Sequence, residues 1–122
     1  MTSSLYERIG GAKAVAAAVD IFYNKIQNDA ELIPFFDGID MQRQRRMQGK
    51  FLTFAFGGPT KYSGRAMRAA HERPVKVGLN ESHFDKVAQH LQRTLLELNV
   101  PYELIQEVMT IAGSTKDDVL NK

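Results

Sequence analysis

Gly64-Arg65-Ala66-Met67-Arg68-Ala69-Ala70-His71-Glu72 is the stretch on which the reading of this chain turns. It follows a Gly57-Gly58-Pro59 break, so it begins a new element rather than continuing the helix before it. Pro74 stands three residues beyond His71, and the pattern predicts a helix of one or two turns ending there, followed by a loop through Pro74 to Gly78. Helices shorter than about 12 residues are marginal on their own, because nucleation is costly. Something outside the segment has to hold it, and a metal bound to His71 would do so. The bland alternative is a core histidine bonded to a backbone carbonyl, and the local pattern alone favours it.

The totals narrow the field. A chain of 122 residues with 43% hydrophobic and 25% charged residues reads as a single globular domain over residues 1–122. A net charge of +2 argues against an extended nucleic-acid surface. With no cysteine there are no disulfides, zinc–thiolate sites, iron–sulfur clusters or thiol nucleophiles. Met1 to Arg8 lacks a basic segment followed by an apolar core, so no signal peptide is expected. The small-apolar run Ala14–Val19 is far short of the roughly 18 residues of a membrane span. A cytoplasmic protein is the expectation.

Outward from the opening stretch, the periodicity is helical throughout. Ser3 or Ser4 caps a first helix to Ile9, ended by Gly10-Gly11. A second helix, Ala12 to Asn28, carries Val15, Val19, Phe22 and Ile26 as one stripe, with Tyr23 on its edge. A tight turn follows from Asp29 to Phe36, whose adjacent Phe35 and Phe36 cannot share one narrow face. Asp37 to Asp40 is a turn, and Asp40 caps a helix from Met41 to about Phe56. On that helix Gln44, Met47, Gln48, Phe51 and Ala55 share a face that Phe54 extends, an apolar face with two glutamines in it. Thr60 to Arg65 reads as a loop. Asn80 caps a long helix from Glu81 to Asn99, with Phe84, Val87, Ala88, Leu91, Leu95 and Leu98 inward. Pro101 suits the first turn of a last helix with Leu104, Ile105, Val108, Met109 and Ala112 inward, and Gly113 precedes a tail. The expected fold is all-α with four substantial helices.

Few residues remain to carry chemistry. There is no nucleophile elbow and no phosphate-binding glycine loop. The histidines are His71, His83 and His90, without the spacing of a zinc or di-iron site. His90 is expected to be solvated; His83 either meets a cofactor edge or lies at the surface. One prominent histidine, several phenylalanines, and Tyr23, Gln44 and Gln48 at pocket-like positions make up what a b-type haem requires.

Taken in order, Gly10-Gly11, Phe22-Tyr23, Phe35-Phe36, Asp40-Met41, Gln44, Phe51-Leu52, Gly57-Gly58, Gly64-Arg65, Met67, Ala70-His71 and His83-Phe84 carry a resemblance. From Leu5-Tyr6-Glu7 to Val119-Leu120-Asn121 the chain resembles a group I truncated haemoglobin. The resemblance implies two antiparallel helix pairs stacked two-over-two around haem b, with His71 as proximal ligand and Met67 offering its carbonyl to the imidazole. It places Tyr23, Gln44 and Gln48 on the distal side, where a donor aimed at bound oxygen is worth about 1.5–3 kcal/mol. Met47 stands where some relatives carry a histidine or lysine able to ligate iron; here it implies apolar lining and an open or weakly blocked site. Phe36, Phe51, Phe54 and Phe84 form the expected haem box, with Leu52, Val87 and His83 near it, and Arg43, Lys61, Tyr62 and Arg65 near the propionates. The tail lacks the histidine that bonds a haem vinyl in some cyanobacterial members, so the haem is expected to be held non-covalently.

The implied activity is reversible binding of oxygen, nitric oxide and carbon monoxide by a monomer, for oxygen transport or storage. The alternative is nitric oxide dioxygenation to nitrate with an external reductase, and a haem-free interaction module is the reading outside both.

Overall fold

The structure is a computed structural model that describes residues 4–36, 40–58 and 64–122. Ser4 accepts a hydrogen bond from the Glu7 amide at 3.1 Å and starts α1, Leu5–Ile9. Gly10 and Gly11 lie at φ 131° and 67°, where a side chain would be strained, and reverse the chain into α2, Gly11–Gln27. A 3₁₀ turn over Ile33–Phe36 leads on, and Asp40 caps α3, Met41–Ala55, by accepting from the amides of Gln42 and Arg43. Then come α4, Gly64–Lys76; α5, Glu81–Glu97; α6, Tyr102–Gly113; and α7, Lys116–Leu120. No strand occurs among the described residues, and none of their helices is long and apolar enough to cross a membrane.

The four long helices form the core. α2 packs on α3 and α5 on α6, while α2–α5 and α3–α6 contacts join the two pairs. Phe22, Ile26, Leu52, Phe56, Leu95 and Val108 are all buried at their centre. The chain beyond α3 lies tight against α1: a Cβ on Gly58 would sit 2.6 Å from the Tyr6 ring. The apolar stripes predict the four helices, and this two-over-two stack is the arrangement that the resemblance implies.

Several local expectations change. The His71 helix does not stop at Pro74: α4 runs 13 residues with Pro74 inside it. Proline lacks an N–H and crowds the preceding turn, yet here it stands in the last turn, and its carbonyl accepts from Leu79 N at 2.9 Å to close the helix end. α4 also has protein partners, because the tail folds into α7 and docks against it. Arg68 Nε donates to Asp118 Oδ1 at 2.8 Å, Arg68 also donates to the Lys122 carbonyl, and Asn121 Nδ2 donates to the Arg68 carbonyl. Pro101 is the N-cap of α6 rather than part of its first turn. The turn expected over Asp37–Ile39 and the loop over Thr60–Ser63, with Lys61 and Tyr62, lie outside the described residues.

His90 is not solvated. Its side chain is 14% exposed, and Nε2 donates to Asp29 Oδ2 at 2.8 Å. Asp29 is itself buried at the end of α2, where Lys86 Nζ and the Glu31 amide also donate to it. Burial alone would raise this carboxyl, but the hydrogen bonds from Lys86, His90 and the Glu31 amide outweigh it and hold the pKa at about 2. Three donors from α5 and the following turn thus converge on one carboxylate that ties α2 to α5.

A carboxyl whose folded pKa is depressed stabilises the fold above its unfolded value and loses that contribution as pH falls towards the folded one. The Asp29 contribution is therefore complete above about pH 4 and disappears towards pH 2. Asp29→Asn is expected to lower unfolding stability in urea by about 1–3 kcal/mol at pH 7, and the difference from the parent chain should shrink as the titration descends from pH 4 to pH 2.

Candidate functional site

His71 sits in the middle of α4, half-buried, with Nδ1 2.9 Å from the Met67 carbonyl one turn earlier. A carbonyl only accepts, so Nδ1 carries the proton and Nε2 keeps its lone pair. Burial pushes the imidazole below its ordinary pKa, and the Met67 contact only partly opposes that. The result is a neutral, oriented ring whose Nε2 makes no hydrogen bond among the described residues. This is the form in which histidine binds a metal.

No cluster of three or more His, Asp or Glu able to hold an ion occurs among the described residues. α4 packs chiefly on α7 rather than on the four-helix core. Of the seven phenylalanines only Phe22 and Phe56 are fully buried; Phe36, Phe51, Phe54 and Phe84 are half-buried, as are Met67 and Val87. Partly exposed aromatics and one oriented imidazole are the residue types that suit a large flat apolar group.

On α3, Gln44 is half-buried and Gln48 is 7% exposed. Gln48 Oε1 is buried with no hydrogen-bond partner among the described residues. An unpaired buried amide oxygen costs about 1–3 kcal/mol, so its presence needs a reason. Tyr23 on α2 is half-buried, and the Arg45 guanidinium lies over its ring, 4.9 Å from the centroid. Arg45 in turn pairs with Asp20, one turn before Tyr23. The spacing of Asp20 and Tyr23 was a signal available in the sequence, but nothing there placed Arg45 on the ring.

The other expected site residues have these places. Met47 on α3 is 40% exposed. Leu52 is fully buried in the four-helix core. His83 serves the fold: its Nδ1 accepts from the Asn80 amide at 3.1 Å, completing the cap of α5, and its ring meets Phe35 edge-on at 4.8 Å. Lys116 Nζ stands 5.8 Å from the Phe84 ring. Arg43 and Arg65 are exposed, without ion pairs among the described residues, and Lys61 and Tyr62 are outside them.

Comparison with known proteins bears on this arrangement. Residues 4–121 match the model of the family described as bacterial-like globin. The chain is 50% identical to group 1 truncated hemoglobin GlbN of a Synechocystis species, over 98% of this chain and 99% of that one. It is 44% identical to a group 1 truncated hemoglobin of Chlamydomonas moewusii, over 97% of this chain and 68% of that one. Among solved structures, the 2/2 hemoglobin of a Synechococcus species, in the cyanomet state with covalently attached heme, superimposes with a TM-score of 0.89 at 48% identity, covering 98% of this chain and all (100%) of that one. Truncated hemoglobin of Tetrahymena pyriformis in its Fe(III) form gives 0.85 at 38%, with 98% and 100% covered. This chain belongs to the bacterial-like globin family and, within it, to the group 1 truncated haemoglobins.

Proposed function

We propose that the chain holds haem b non-covalently through His71 Nε2 and binds oxygen reversibly, together with other diatomic ligands. The observation that carries this is the Nδ1–H bond from His71 to the Met67 carbonyl, which leaves Nε2 unprotonated. Membership of the globin family supports haem-based binding of a diatomic ligand. Haem held by His71 would supply the iron that binds such a ligand. The chain's own residues do the rest. Phe36, Phe51, Phe54 and Phe84 would exclude water from the flat apolar group, and exposed Arg43 and Arg65 stand as cations for its propionates. Tyr23, Gln44 and Gln48 would donate to the ligand opposite His71. Gln48 would donate through its Nε2 amide, since its buried Oε1 can only accept.

Support also comes from the Tetrahymena relative, whose structures include substitutions of a tyrosine and two glutamines with the same separations as Tyr23, Gln44 and Gln48. Met47, at 40% exposure, leaves no internal ligand on that side in this reading. None of the three histidines, His71, His83 and His90, lies in the tail, so the tail offers no histidine for a covalent link to haem. A second reading rests on the same three donors: groups that retain oxygen strongly suit its reaction with nitric oxide to nitrate, with an external reductant. Nitrate formation under turnover with a reductant separates this from oxygen transport or storage.

Two outcomes are expected. Haemin added to the purified chain gives a Soret band that is lost or strongly shifted in His71→Ala; no uptake by the unaltered chain would overturn the reading. Gln48→Leu leaves the haem-free chain as stable or about 1 kcal/mol more stable in urea, since it removes an unpaired buried oxygen. In the holoprotein the same change speeds oxygen release about tenfold or more, measured by stopped flow.

A further inference from the structure

Asp20 and Arg45 form an ion pair that the haem contacts do not explain. Asp20 lies on α2 one turn before Tyr23, and Arg45 lies on α3 beside Gln44. Their side chains are 65% and 41% exposed, so the pair itself adds little to stability. Its consequence is geometric. Asp20 holds the guanidinium, and the guanidinium covers the Tyr23 ring at 4.9 Å. A tyrosine on the edge of a helix otherwise samples several rotamers; here one ring face is occupied by a planar cation reaching across from the neighbouring helix. Arginine suits this better than lysine, because its flat delocalised group stacks while still pairing with a carboxylate. A cation over the ring also draws on its π density, which makes the phenol O–H a stronger donor.

We propose that Arg45, held by Asp20, is a positioning residue for Tyr23: it fixes the phenol ring between α2 and α3 and so sets the hydroxyl that donates to the diatomic ligand. The inference rests on the proposed role of Tyr23 in ligand retention. It makes the Asp20–Arg45–Tyr23 contact a surface-accessible control on ligand release, one that acts without touching haem or ligand. Because the pair is exposed, its hold is weakened by salt.

The test is a double-mutant cycle on the holoprotein. Oxygen and carbon monoxide release are measured by stopped flow for Arg45→Gln, Arg45→Lys and Asp20→Asn, each with Tyr23 and with Tyr23→Phe. Arg45→Gln is expected to speed oxygen release two- to fivefold, the equivalent of about 0.5–1 kcal/mol for an exposed cation–π contact. Arg45→Lys and Asp20→Asn give smaller changes in the same direction, and all three effects vanish in the Tyr23→Phe background. A second readout needs no haem. In the aromatic carbon–proton spectrum of the apo chain with labelled tyrosine, the signals lost in Tyr23→Phe should shift in Arg45→Gln. Equal effects in both backgrounds, or unmoved Tyr23 signals, would overturn the inference. Tyr23→Phe alone without effect on oxygen release overturns the distal role of Tyr23 and this inference together, whereas an effect of Tyr23→Phe without one of Arg45→Gln overturns only the inference.

Discussion

The proposed function hangs on one hydrogen bond: the His71 Nδ1–H donates to the Met67 carbonyl at 2.9 Å. Without it the imidazole could carry its proton on either nitrogen and turn about its side-chain torsions. With it, the proton has one place and the lone pair another, and a single axial ligand needs both conditions. Because donor and acceptor are four residues apart on one helix, the bond exists only while α4 is helical at that turn. The proposed function therefore depends on what keeps α4 folded.

That support comes from the end of the chain. Asp118 and Asn121, with the Lys122 carbonyl, bind Arg68 by its guanidinium and its backbone. Thr115 is buried at the bend before α7 and bonds the Ala112 carbonyl, while Leu120 is buried at its end. Gly64 is tightly placed as well, since a Cβ there would meet the Asp118 carboxylate at 2.9 Å. The four-helix core closes without α4, through α2, α3, α5 and α6. α4 is thus anchored by α7 beside a core that α2, α3, α5 and α6 close.

The four long helices and their caps are legible in the sequence because apolar stripes and capping residues are local signals. Asp40 and Asn80 act as caps as their positions indicate, and Val15, Phe22, Leu91 and Val108 are inward. The length of α4 is not legible. Pro74 is a helix breaker by local rules, and only its place in the final turn makes it tolerable. α7 is obscured in the same way: five residues are too few to register as a helix until Arg68, 50 residues earlier in the chain, is seen to bind it. His90 reads as solvated because its partner Asp29 is 61 residues away. Arg45 over Tyr23 joins two helices across a register that no periodicity reports. For α7, His90 and Arg45, what the sequence hides is a charged group meeting a distant partner.

The most direct measurement is the proton–nitrogen spectrum of the ferric holoprotein with labelled histidine. If His71 binds iron through Nε2, one of the three histidine rings shows a strongly hyperfine-shifted, slowly exchanging Nδ1–H, and that signal disappears in His71→Ala. The other two rings, His83 and His90, stay in the ordinary range. All three rings in the ordinary range, or a hyperfine-shifted signal that survives His71→Ala, would contradict the account.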